Sequence, residues 1–516
     1  MYSINEAVQN LKPGDVLRIP PGTYQENIRM ENISGTQDAP IHIVADGAVT
    51  IDGGGNEIAF AIINCQHIII EGLEVTHAHY GIDVKSTPAQ GATPLEGIVI
   101  KNNNVHHIDG PEGGHAIAVY GENPHAPITD LLIEGNQVHN NKLYWSEALV
   151  VNGNIDGFVI AKNIVWNNDN IGIDIIGFEG KAGDDPAVDC ARNGKVYENI
   201  VYGCNTTGNE AYWSANHNVE GEVWTGRGEG PFEGKYDRCC GGIYVDGGWH
   251  IEIYHNFVFD NDLGIEIATE HKPPLVTKDV HVHDNIVASC SGWAGLIFGG
   301  YASNLGFTEE CTFKNNILFG NDTSIAVQKS RNNILENNVI VGGWEAMDFN
   351  GDMAANNTFN TNYWENTNED EDYFTQLETL PTTQIDAQIK TTALLKDPEN
   401  GNFALDAPSG AGTSWRPAEQ YLQLYAKYLI AQDRVNDAVE FLQNKPITTD
   451  ITNADPSQCI AKYLQENSFA DVTVKAILKT NEIKGLYLVQ LGVTYGQDAY
   501  AQGTTQEGVV IIKHNN

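Results

Sequence analysis

The chain has 516 residues, of which 41% are apolar, and a net charge of −39 from 68 acidic and 29 basic side chains. The apolar content excludes a disordered chain, and the length allows one large repeat domain plus an appendage. The charge disfavours binding to nucleic acid or to an anionic membrane, and it repels a polyanionic glycan unless metal ions bridge the charges. No apolar run approaches the roughly 18 residues of a membrane span. We therefore expect a folded protein rich in loops and strands.

A tripeptide of Asn, any residue and Val, Ile or Leu recurs along the chain. It is led by Asn103, Asn136, Asn163, Asn199, Asn256, Asn285, Asn316 and Asn338. Between these lies a second phrase, a small residue followed by apolar, variable and apolar positions, as in Gly242-Ile243-Tyr244-Val245. Period-two alternation between Asn and Gly turns predicts short strands, and stacked repeats of such strands form a β-solenoid. Stacked Asn side chains are then expected to form a hydrogen-bonded ladder.

The repeats predict a solenoid domain over residues 1–415 and a different module over 416–516. One repeat, from Gly172 to Gly242, is long and predicts an insertion at about residues 180–240 that leans over the outward face carrying Asp174 and Asp246. Residues 417–443 have helical apolar spacing, and alternating strands follow at Val472, Leu486 and Val509. The tail is therefore predicted to be a small α+β module for attachment or assembly, or a cap on the open end of the solenoid.

The opening phrases Lys12-Pro13-Gly14-Asp15 and Pro21-Gly22-Thr23-Tyr24 resemble the first coils of β-helical polysaccharide lyases of the chondroitinase B and alginate lyase type. Asn402-Phe403-Ala404-Leu405 similarly resembles the closing segment of such domains. The resemblance implies a right-handed parallel β-helix over most of the chain, and it specifies the fold but no reaction.

Alternate residues of a strand face outwards, so the variable positions of the second phrase form outward columns when the coils are stacked. The first column is Asp83, Ala118, Val150, Asp174, Tyr244, Glu266, Ile297 and Ala326, and the second is Lys85, Tyr120, Asn152, Ile176, Asp246, Ala268, Gly299 and Gln328. Acids concentrate at Asp174, Asp246 and Glu266, with Glu270 and Glu179 beside them. We expect these carboxyls to be exposed to solvent.

Cleavage of a glycosidic bond uses two carboxyl groups, one protonated and one ionised, and crowded acids supply the protonated one. The catalytic candidates are therefore Asp246, Glu270, Glu266 and Asp174. Aromatic and polar side chains near them are candidates for binding sugar. These substrate-binding candidates are Glu179, Tyr244, His271, Trp213, Trp224 and Arg238.

The stretch from Gly242 to Asp246, with Asn256 and then Glu266-Ile267-Ala268-Thr269-Glu270-His271, resembles the catalytic region of β-helical β-xylosidases. The resemblance implies Asp246 as the nucleophile and Glu266 or Glu270 as the acid/base. The sequence thus favours a glycoside hydrolase that acts on a poly- or oligosaccharide and requires no cofactor.

Two alternatives stay open. A polysaccharide lyase would need a Lys or Arg base and Ca²⁺ to neutralise a uronate, and Asp348, Asn350 and Asp352 have oxygen-ligand spacing for such an ion. A non-catalytic glycan-binding or assembly protein is the other alternative, and the clustering of the acids counts against it. The sequence leaves the sugar, its linkage and the oligomeric state open.

The eight cysteines have no metal-type spacing and predict either disulfides, such as Cys190 or Cys204 with Cys239 or Cys240, or buried thiols. The opening residues of the chain do not resemble a signal peptide. We expect an extracellular or cell-surface location, without insertion in a membrane.

Overall fold

The alternating sequence forms short parallel strands that stack coil upon coil in a computed structural model of the chain. The structure describes residues 3–110, 113–206, 209, 211, 238–365, 385–390, 392–407, 410–430, 465–467, 472–479, 486–495 and 506–513. The predicted β-solenoid is confirmed, since the strands of one large sheet pair in parallel with strands of neighbouring coils.

We call the sheet that carries the variable columns the site sheet. Its strands are Ile28–Glu31, Val49–Ile63, Glu74–Ser86, Ile117–Gly121, Leu149–Gly153, Ile173–Ile176, Gly241–Asp246, Leu263–Ala268, Ala294–Phe298, Thr323–Val327 and Glu345–Phe349. The strands of the second sheet are Val16–Ile19, Ile41–Ala45, Ile68–Glu71, Ile98–Lys101, Leu131–Glu134, Ile155–Ala161, Ala191–Tyr197, Trp249–Tyr254, Thr277–His283, Thr312–Lys314, Ile334–Glu336 and Thr358–Glu365. Short strands extend the second sheet at Leu95–Glu96, Ile128–Thr129, Thr308–Glu309, Ser330–Arg331 and Ala354–Ala355.

The third sheet includes the first residues of the two long strands Val49–Ile63 and Glu74–Ser86. Its other strands are Gly22–Gln25, Asn104–His106, Gln137–His139, Ile164–Trp166, Ile200–Tyr202, Phe257–Phe259, Ile286–Ala288, Ile317–Phe319, Val339–Val341 and Ile385–Lys390. Two further strands are Leu395–Asp397 and Asn402–Leu405. The helix Ile4–Val8 begins at Ser3, whose hydroxyl accepts a hydrogen bond from the Glu6 amide, and single 3₁₀ turns form at Pro88–Gln90 and Pro398–Asn400.

Stacked Ile, Val, Leu and Phe side chains from the three sheets fill the interior of the coils. The predicted asparagine ladder is confirmed between the second and third sheets. Each side-chain amide in the ladder donates to the amide oxygen of the next asparagine, as Asn163 does to Asn199 and Asn199 to Asn256, both at 3.0 Å. The ladder satisfies polar groups that the turns bury, and it fixes the vertical register of the coils.

The predicted insertion over residues 180–240 is wrong in extent. Residues of this stretch return to the solenoid as the strands Ala191–Tyr197 and Ile200–Tyr202, which pair with coils on both sides. Sequence reasoning missed these two strands because it measured the repeats by the small-apolar phrase, which only the site sheet carries, although Asn199 between them was assigned to the ladder. Most of residues 207–237 lie outside the described residues. The expectation that the insertion leans over the site sheet concerns these residues and stays a prediction.

The chain divides into two units. The first comprises Met1–Asn209, Arg238–Lys396 and Phe403–Pro417, and it contains the solenoid coils. The second comprises Glu210–Asp237, Asp397–Asn402 and Ala418–Asn516. Within the second unit, residues 419–430 form a helix, and Val472–Lys479, Leu486–Tyr495 and Gln506–Lys513 form an antiparallel sheet, as the α+β prediction requires.

The predicted disulfides are absent from the part of the chain that the structure describes. Cys190, Cys204 and Cys240 are buried free thiols, and Cys239 is partly buried. Burial raises the pKa of Cys190 and Cys204 to about 12, so these thiols act as small apolar core groups. No helix in the described ranges is both long and apolar enough to cross a membrane.

Candidate active site

The predicted columns match the strand register of the site sheet. Asp174 is paired with Tyr244, and Tyr244 is paired with Glu266 on the next coil. Asp246 lies opposite Ala268, two residues along the strand from Tyr244. With coils about 4.8 Å apart and alternate residues about 6.7 Å apart, Asp246 lies diagonally about 8 Å, Cα to Cα, from both Asp174 and Glu266. Rigid strands therefore fix the spacing of the three carboxyls.

The expectation that these carboxyls face solvent is wrong. Asp174 is 2% exposed, Asp246 6% and Glu266 9%. Period-two alternation shows which side of a strand a residue occupies, but it does not show whether other parts of the chain cover that side. The outer face of the site sheet is instead a covered polar site, in which charge is poorly solvated.

Asp246 ends its strand at a sharp turn. Gly247 has a φ of +85°, a conformation that glycine adopts without strain. The turn directs the Asp246 carboxylate towards the next coil, where Oδ1 accepts a hydrogen bond of 2.9 Å from the backbone N–H of Glu270. The turn chemistry of Asp-Gly-Gly and a role for the Asp246 carboxyl are thus compatible, because the turn positions the side chain.

A further acid, Glu147, joins this group and was missed by sequence reasoning. It directly precedes Ala148-Leu149-Val150, one residue outside the positions that the column analysis used. Its side chain is 13% exposed, and one carboxyl oxygen lies 3.4 Å from Nδ1 of His115 on the preceding coil. Glu147 lies just before the strand Leu149–Gly153, and including the position before each phrase in the column analysis would have revealed it.

Burial and mutual repulsion raise the pKa of every buried carboxyl in the cluster. Burial, followed by the charge of Glu270, raises the pKa of Asp246 to about 8 and that of Glu266 to about 8. Burial and the Glu179 charge raise the pKa of Glu147 to about 8. The hydrogen bond from the Glu270 amide opposes this shift at Asp246 and favours its ionised form.

Asp174 is the most strongly affected carboxyl. Burial and the charges of Glu147 and Asp246 raise its pKa well above its usual range. Its Oδ1 is buried and has no hydrogen-bond partner among the residues that the structure describes. A buried carboxyl without a compensating partner is stable only in its neutral form, so Asp174 holds a proton.

Two acids at the edge of the cluster are exposed, Glu179 and Glu270. Glu179 accepts a hydrogen bond of 2.8 Å from the Asn152 side chain and lies 3.5 Å from the Lys181 ammonium. Glu270 is only partly solvated, and this partial burial, followed by the Glu179 charge, raises its pKa above its usual value. These two groups are the points at which the cluster meets solvent.

A basic and aromatic group adjoins the acids on the N-terminal side. Nδ1 of His115 donates to the backbone carbonyl of Glu147 at 2.9 Å, so Nε2 accepts the Tyr120 hydroxyl at 2.7 Å. Burial lowers the pKa of His115 to about 4, which keeps the ring neutral. The ammonium groups of Lys85 and Lys181 each lie 5.4 Å from the centroid of the Tyr120 ring.

The structure places the substrate-binding candidates differently. Tyr244 is buried in the acid column between Asp174 and Glu266. The ring of His271 packs on Phe178, with centroids 6.0 Å apart, and burial lowers its pKa. Arg238 does not join the cluster, because its guanidinium binds Asp262 at 2.9 Å and Ser291 at 2.9 and 3.0 Å. Trp213 and Trp224 lie outside the described residues.

The predicted calcium ligands lie further along the same face. Asp348 continues the acid column opposite Ala326 and accepts a hydrogen bond of 3.1 Å from the Trp293 indole. Asn350 closes a turn through its carbonyl oxygen, and Asp352 is exposed. Within the described ranges, no group of three or more His, Cys, Asp and Glu side chains is arranged to hold a metal ion. Calcium binding by Asp348, Asn350 and Asp352 stays a prediction.

Two family models match the chain. Residues 48–232 match the model described as "Right handed beta helix region", and residues 234–371 match that of "Periplasmic copper-binding protein (NosD)". The solved structures similar to it include the PL6 family alginate lyase AlyGC, at 13% identity over 81% of this chain and 56% of that chain, with a TM-score of 0.45. They also include the A-module of Azotobacter vinelandii mannuronan C-5 epimerase AlgE6, at 13% identity over 68% and 91% of the two chains, with a TM-score of 0.42. Similarity at this level carries no information on function.

A much stronger similarity is to a protein of Bacillus subtilis (strain 168), the "Uncharacterized protein YwoF". The two sequences are 32% identical over 457 residues, which cover 79% of this chain and 87% of the other. The match to the right-handed β-helix model also confirms the predicted handedness of the solenoid. The chain belongs to the family of YwoF, and it is a right-handed parallel β-helix.

Proposed function

We propose that the protein is a glycoside hydrolase that uses Asp246 and Glu266 as its catalytic pair. One observation carries the proposal: two buried carboxyls stand on adjacent rigid strands, diagonal to each other, in a cluster that holds several protons near neutral pH. Hydrolysis of a glycosidic bond requires one protonated and one ionised carboxyl flanking the same bond. The surroundings of Asp246 and Glu266 differ, and this difference decides which carboxyl is ionised and which is protonated.

Asp246 is the ionised member of the pair. Its Oδ1 accepts the backbone N–H of Glu270, a hydrogen bond that stabilises negative charge. Burial raises the pKa of both carboxyls to about 8, but a hydrogen bond opposes the rise only at Asp246. When the pair loses one proton, Asp246 therefore gives it up and Glu266 remains the acid. Glu266 donates its proton to the leaving glycosidic oxygen as the bond from that oxygen to the anomeric carbon breaks. Asp246 either attacks that carbon or removes a proton from the attacking water.

The buried carboxyls of Asp174 and Glu147 have a supporting role in this proposal. Asp174 lies one strand from Asp246, and its neutral carboxyl adds hydrogen-bonding capacity without adding charge. Glu147 has a pKa of about 8 and contacts His115. Both groups line the floor of the site on the N-terminal side of the catalytic pair.

The substrate in this proposal is an uncharged poly- or oligosaccharide. A chain with a net charge of −39 and a cluster of carboxyls repels nucleic acid and polyuronates, whereas sugar hydroxyls can donate hydrogen bonds to carboxylates. Extracellular glycans are the expected source of such a substrate.

An extracellular, cell-surface or periplasmic location is therefore part of the proposal. The word "periplasmic" in the description of the second family model supports this location.

A polysaccharide lyase is the second candidate. It is favoured by Lys85, which lies over the Tyr120 ring on the same face as the acids, with Lys181 near the same ring. A lyase removes a proton next to a uronate carboxyl and breaks the bond by elimination, so its products end in an unsaturated sugar. The loose ion pairs of Lys85 with Asp83, at 3.4 Å, and of Lys181 with Glu179, at 3.5 Å, reduce the positive charge available for a uronate.

Product analysis on a broad panel of plant and algal glycans tests the proposal. Saturated products with new reducing ends, formed from neutral glycans and without added metal, are the expected result. Unsaturated ends formed from uronate-containing glycans would assign the lyase instead. No product from any glycan of the panel would refute both reactions and leave a binding protein.

A further inference from the structure

The loop of residues 177–190 connects a strand of the site sheet to a strand of the second sheet and folds back over earlier coils. The Glu179 carboxylate accepts a hydrogen bond of 2.8 Å from the Asn152 side chain. The Lys181 ammonium lies 5.4 Å from the centroid of the Tyr120 ring. Asn152 and Tyr120 belong to the two coils that precede the loop, so the loop covers part of the outer face beside the acid cluster.

A buried acid that the proposed reaction does not use holds this loop. Asp189 is 2% exposed, and its two carboxyl oxygens accept separate backbone N–H groups, that of Gly180 at 2.5 Å and that of Ala182 at 2.8 Å. The backbone carbonyl of Asp189 accepts the N–H of Phe178 at 2.7 Å. The residues immediately before and after Glu179 are therefore both bonded to Asp189. Hydrogen bonds to a carboxylate are about twice as strong as those between neutral groups.

The backbone at Phe178 shows that the loop is held in a demanding conformation. Phe178 has a φ of +74°, which a bulky side chain rarely adopts. Its ring packs against the turn after Asp246, since a Cβ on Gly247 would lie 2.7 Å from a ring carbon. Such a conformation persists only where surrounding contacts fix it, and the carbonyl of Asp189 provides one of them. The loop and the Asp246 turn are thus packed together.

Through Glu179 the loop adds a charge to the acid cluster. After burial, the Glu179 charge is the largest influence that raises the pKa of Glu147 and of Glu270, and it also raises that of Asp246. The Lys181 ammonium, 3.5 Å from Glu179, has the opposite sign and offsets part of this effect. The other titratable side chains that face Glu179 are Tyr120, Asp174, His115 and His271. Because a charge acts less strongly at a greater distance, its effect depends on where the loop holds Glu179.

We propose that Asp189 is a positioning residue of the acid cluster, which fixes the backbone on both sides of Glu179 and so holds the Glu179 carboxylate against Asn152. Asp189 acts through Glu179 and not by contact with a substrate. A loop released from Asp189 would let Glu179 turn towards solvent, where its charge is screened, and the cluster would lose its protons at lower pH. With respect to catalysis the inference rests on the proposed function, but the effect on the cluster is the same whatever the reaction.

Thermal unfolding from pH 4 to pH 9 tests the inference without a substrate. Burial and like charges raise the pKa of Glu147 and Asp246 to about 8 in the folded protein, so the stability from these groups is lost as the pH rises from about 4.5 to 8. Glu179→Gln lowers these pKa values, and its melting temperature should therefore fall less steeply over this range than that of the wild type.

Asp189→Asn should show the same flatter slope, together with a lower melting temperature at pH 4, because asparagine has one acceptor oxygen where aspartate has two. The double variant should be no flatter than Glu179→Gln, since the charge that Asp189 positions is already gone. The matched control is Asp184→Asn, which makes the same change at an exposed acid of the same loop and should keep the wild-type slope.

If the protein cleaves a glycan, the pH profiles of Asp189→Asn and Glu179→Gln should both move to lower pH by about half a unit. An Asp189→Asn protein that is destabilised equally at every pH, or slopes that add in the double variant, would overturn the inference and leave Asp189 with a purely structural role. Flatter slopes in a protein that cleaves no glycan would support the inference and refute the proposed hydrolase.

A measurement on the wild type keeps the inference testable if Asp189→Asn does not fold. Hydrogen exchange of residues 178–182, followed by mass spectrometry, should be as slow as that of the neighbouring strands, because the amides of Phe178, Gly180 and Ala182 are bonded to Asp189. Exchange as fast as that of an exposed loop would overturn the inference.

Discussion

Replacing Glu266 with glutamine should make the stability of the protein less dependent on pH. The folded state raises the pKa of Glu266 from its ordinary value of 4.5 to about 8, so the folded protein binds this proton more tightly than the unfolded chain does. Stability from this group is therefore complete below about pH 4.5 and is lost as the pH rises towards 8. Glutamine has nearly the same shape as glutamate and cannot ionise, so the substituted protein does not lose this stability as the pH rises.

The size of the effect follows from the shift. About 3.5 pKa units, at about 1.36 kcal/mol for each unit, correspond to about 5 kcal/mol once Glu266 is fully ionised. Because the charges of Glu270 and Asp246 contribute to the shift, the substitution also relieves those neighbours, and the effect cannot be assigned to Glu266 alone. We expect a difference in stability of a few kcal/mol at pH 8 and close to zero at pH 4.

Thermal unfolding midpoints of the wild type and Glu266→Gln, measured from pH 4 to pH 9, check this expectation. Glu96→Gln, at an exposed glutamate of the strand Leu95–Glu96, is the matched control and should follow the wild type at every pH. The midpoint of Glu266→Gln should exceed that of the wild type increasingly above pH 5. Curves that stay parallel over the whole range would show that the Glu266 carboxyl is solvated in the folded protein, and the acid role would lose its basis.

Two further predictions concern the site and the fold. Glu270→Gln removes a charge that raises the pKa of both Asp246 and Glu266, so the pH profile of glycan cleavage should move to lower pH by about one unit, and an unmoved profile would contradict the assigned coupling. Asn256→Ala interrupts the asparagine ladder and leaves the buried backbone N–H of Asn199 without its acceptor, the Asn256 amide oxygen. The substitution should cost about 3 kcal/mol in urea unfolding, whereas a cost similar to that of the exposed Asn304→Ala would show that the ladder contributes little.

The sequence predicts the solenoid because repetition repeats the same local choice many times. The recurring asparagine and the apolar alternation specify the ladder, the inward stacks and the outward columns, and the strand register matches the columns from Asp83 to Ala326. A single strand could have slipped by one residue, but a register shared by successive coils could not do so without exposing the core.

Other features of the site could not be predicted from the columns. The burial of Asp174 and Asp246 depends on what covers the face, and alternation does not encode that. Glu147 was missed because it stands at the corner before the phrase, outside the variable positions. The pairing of Arg238 with Asp262 joins residues whose contact no repeat pattern indicates. Loops and coil corners follow contacts that are specific to this chain, and the repeat describes only the strands.

The catalytic claim is tested most directly by comparing the wild type with Asp246→Asn on the glycan that the wild type cleaves. Release of reducing ends should fall by about 10³-fold or more, because asparagine can neither attack the anomeric carbon nor activate water. Affinity for the glycan should stay nearly the same and the melting temperature should not fall, since the amide oxygen can still accept the Glu270 N–H and asparagine cannot ionise. Undiminished cleavage by Asp246→Asn would contradict the account and leave Asp246 as a residue of the turn alone.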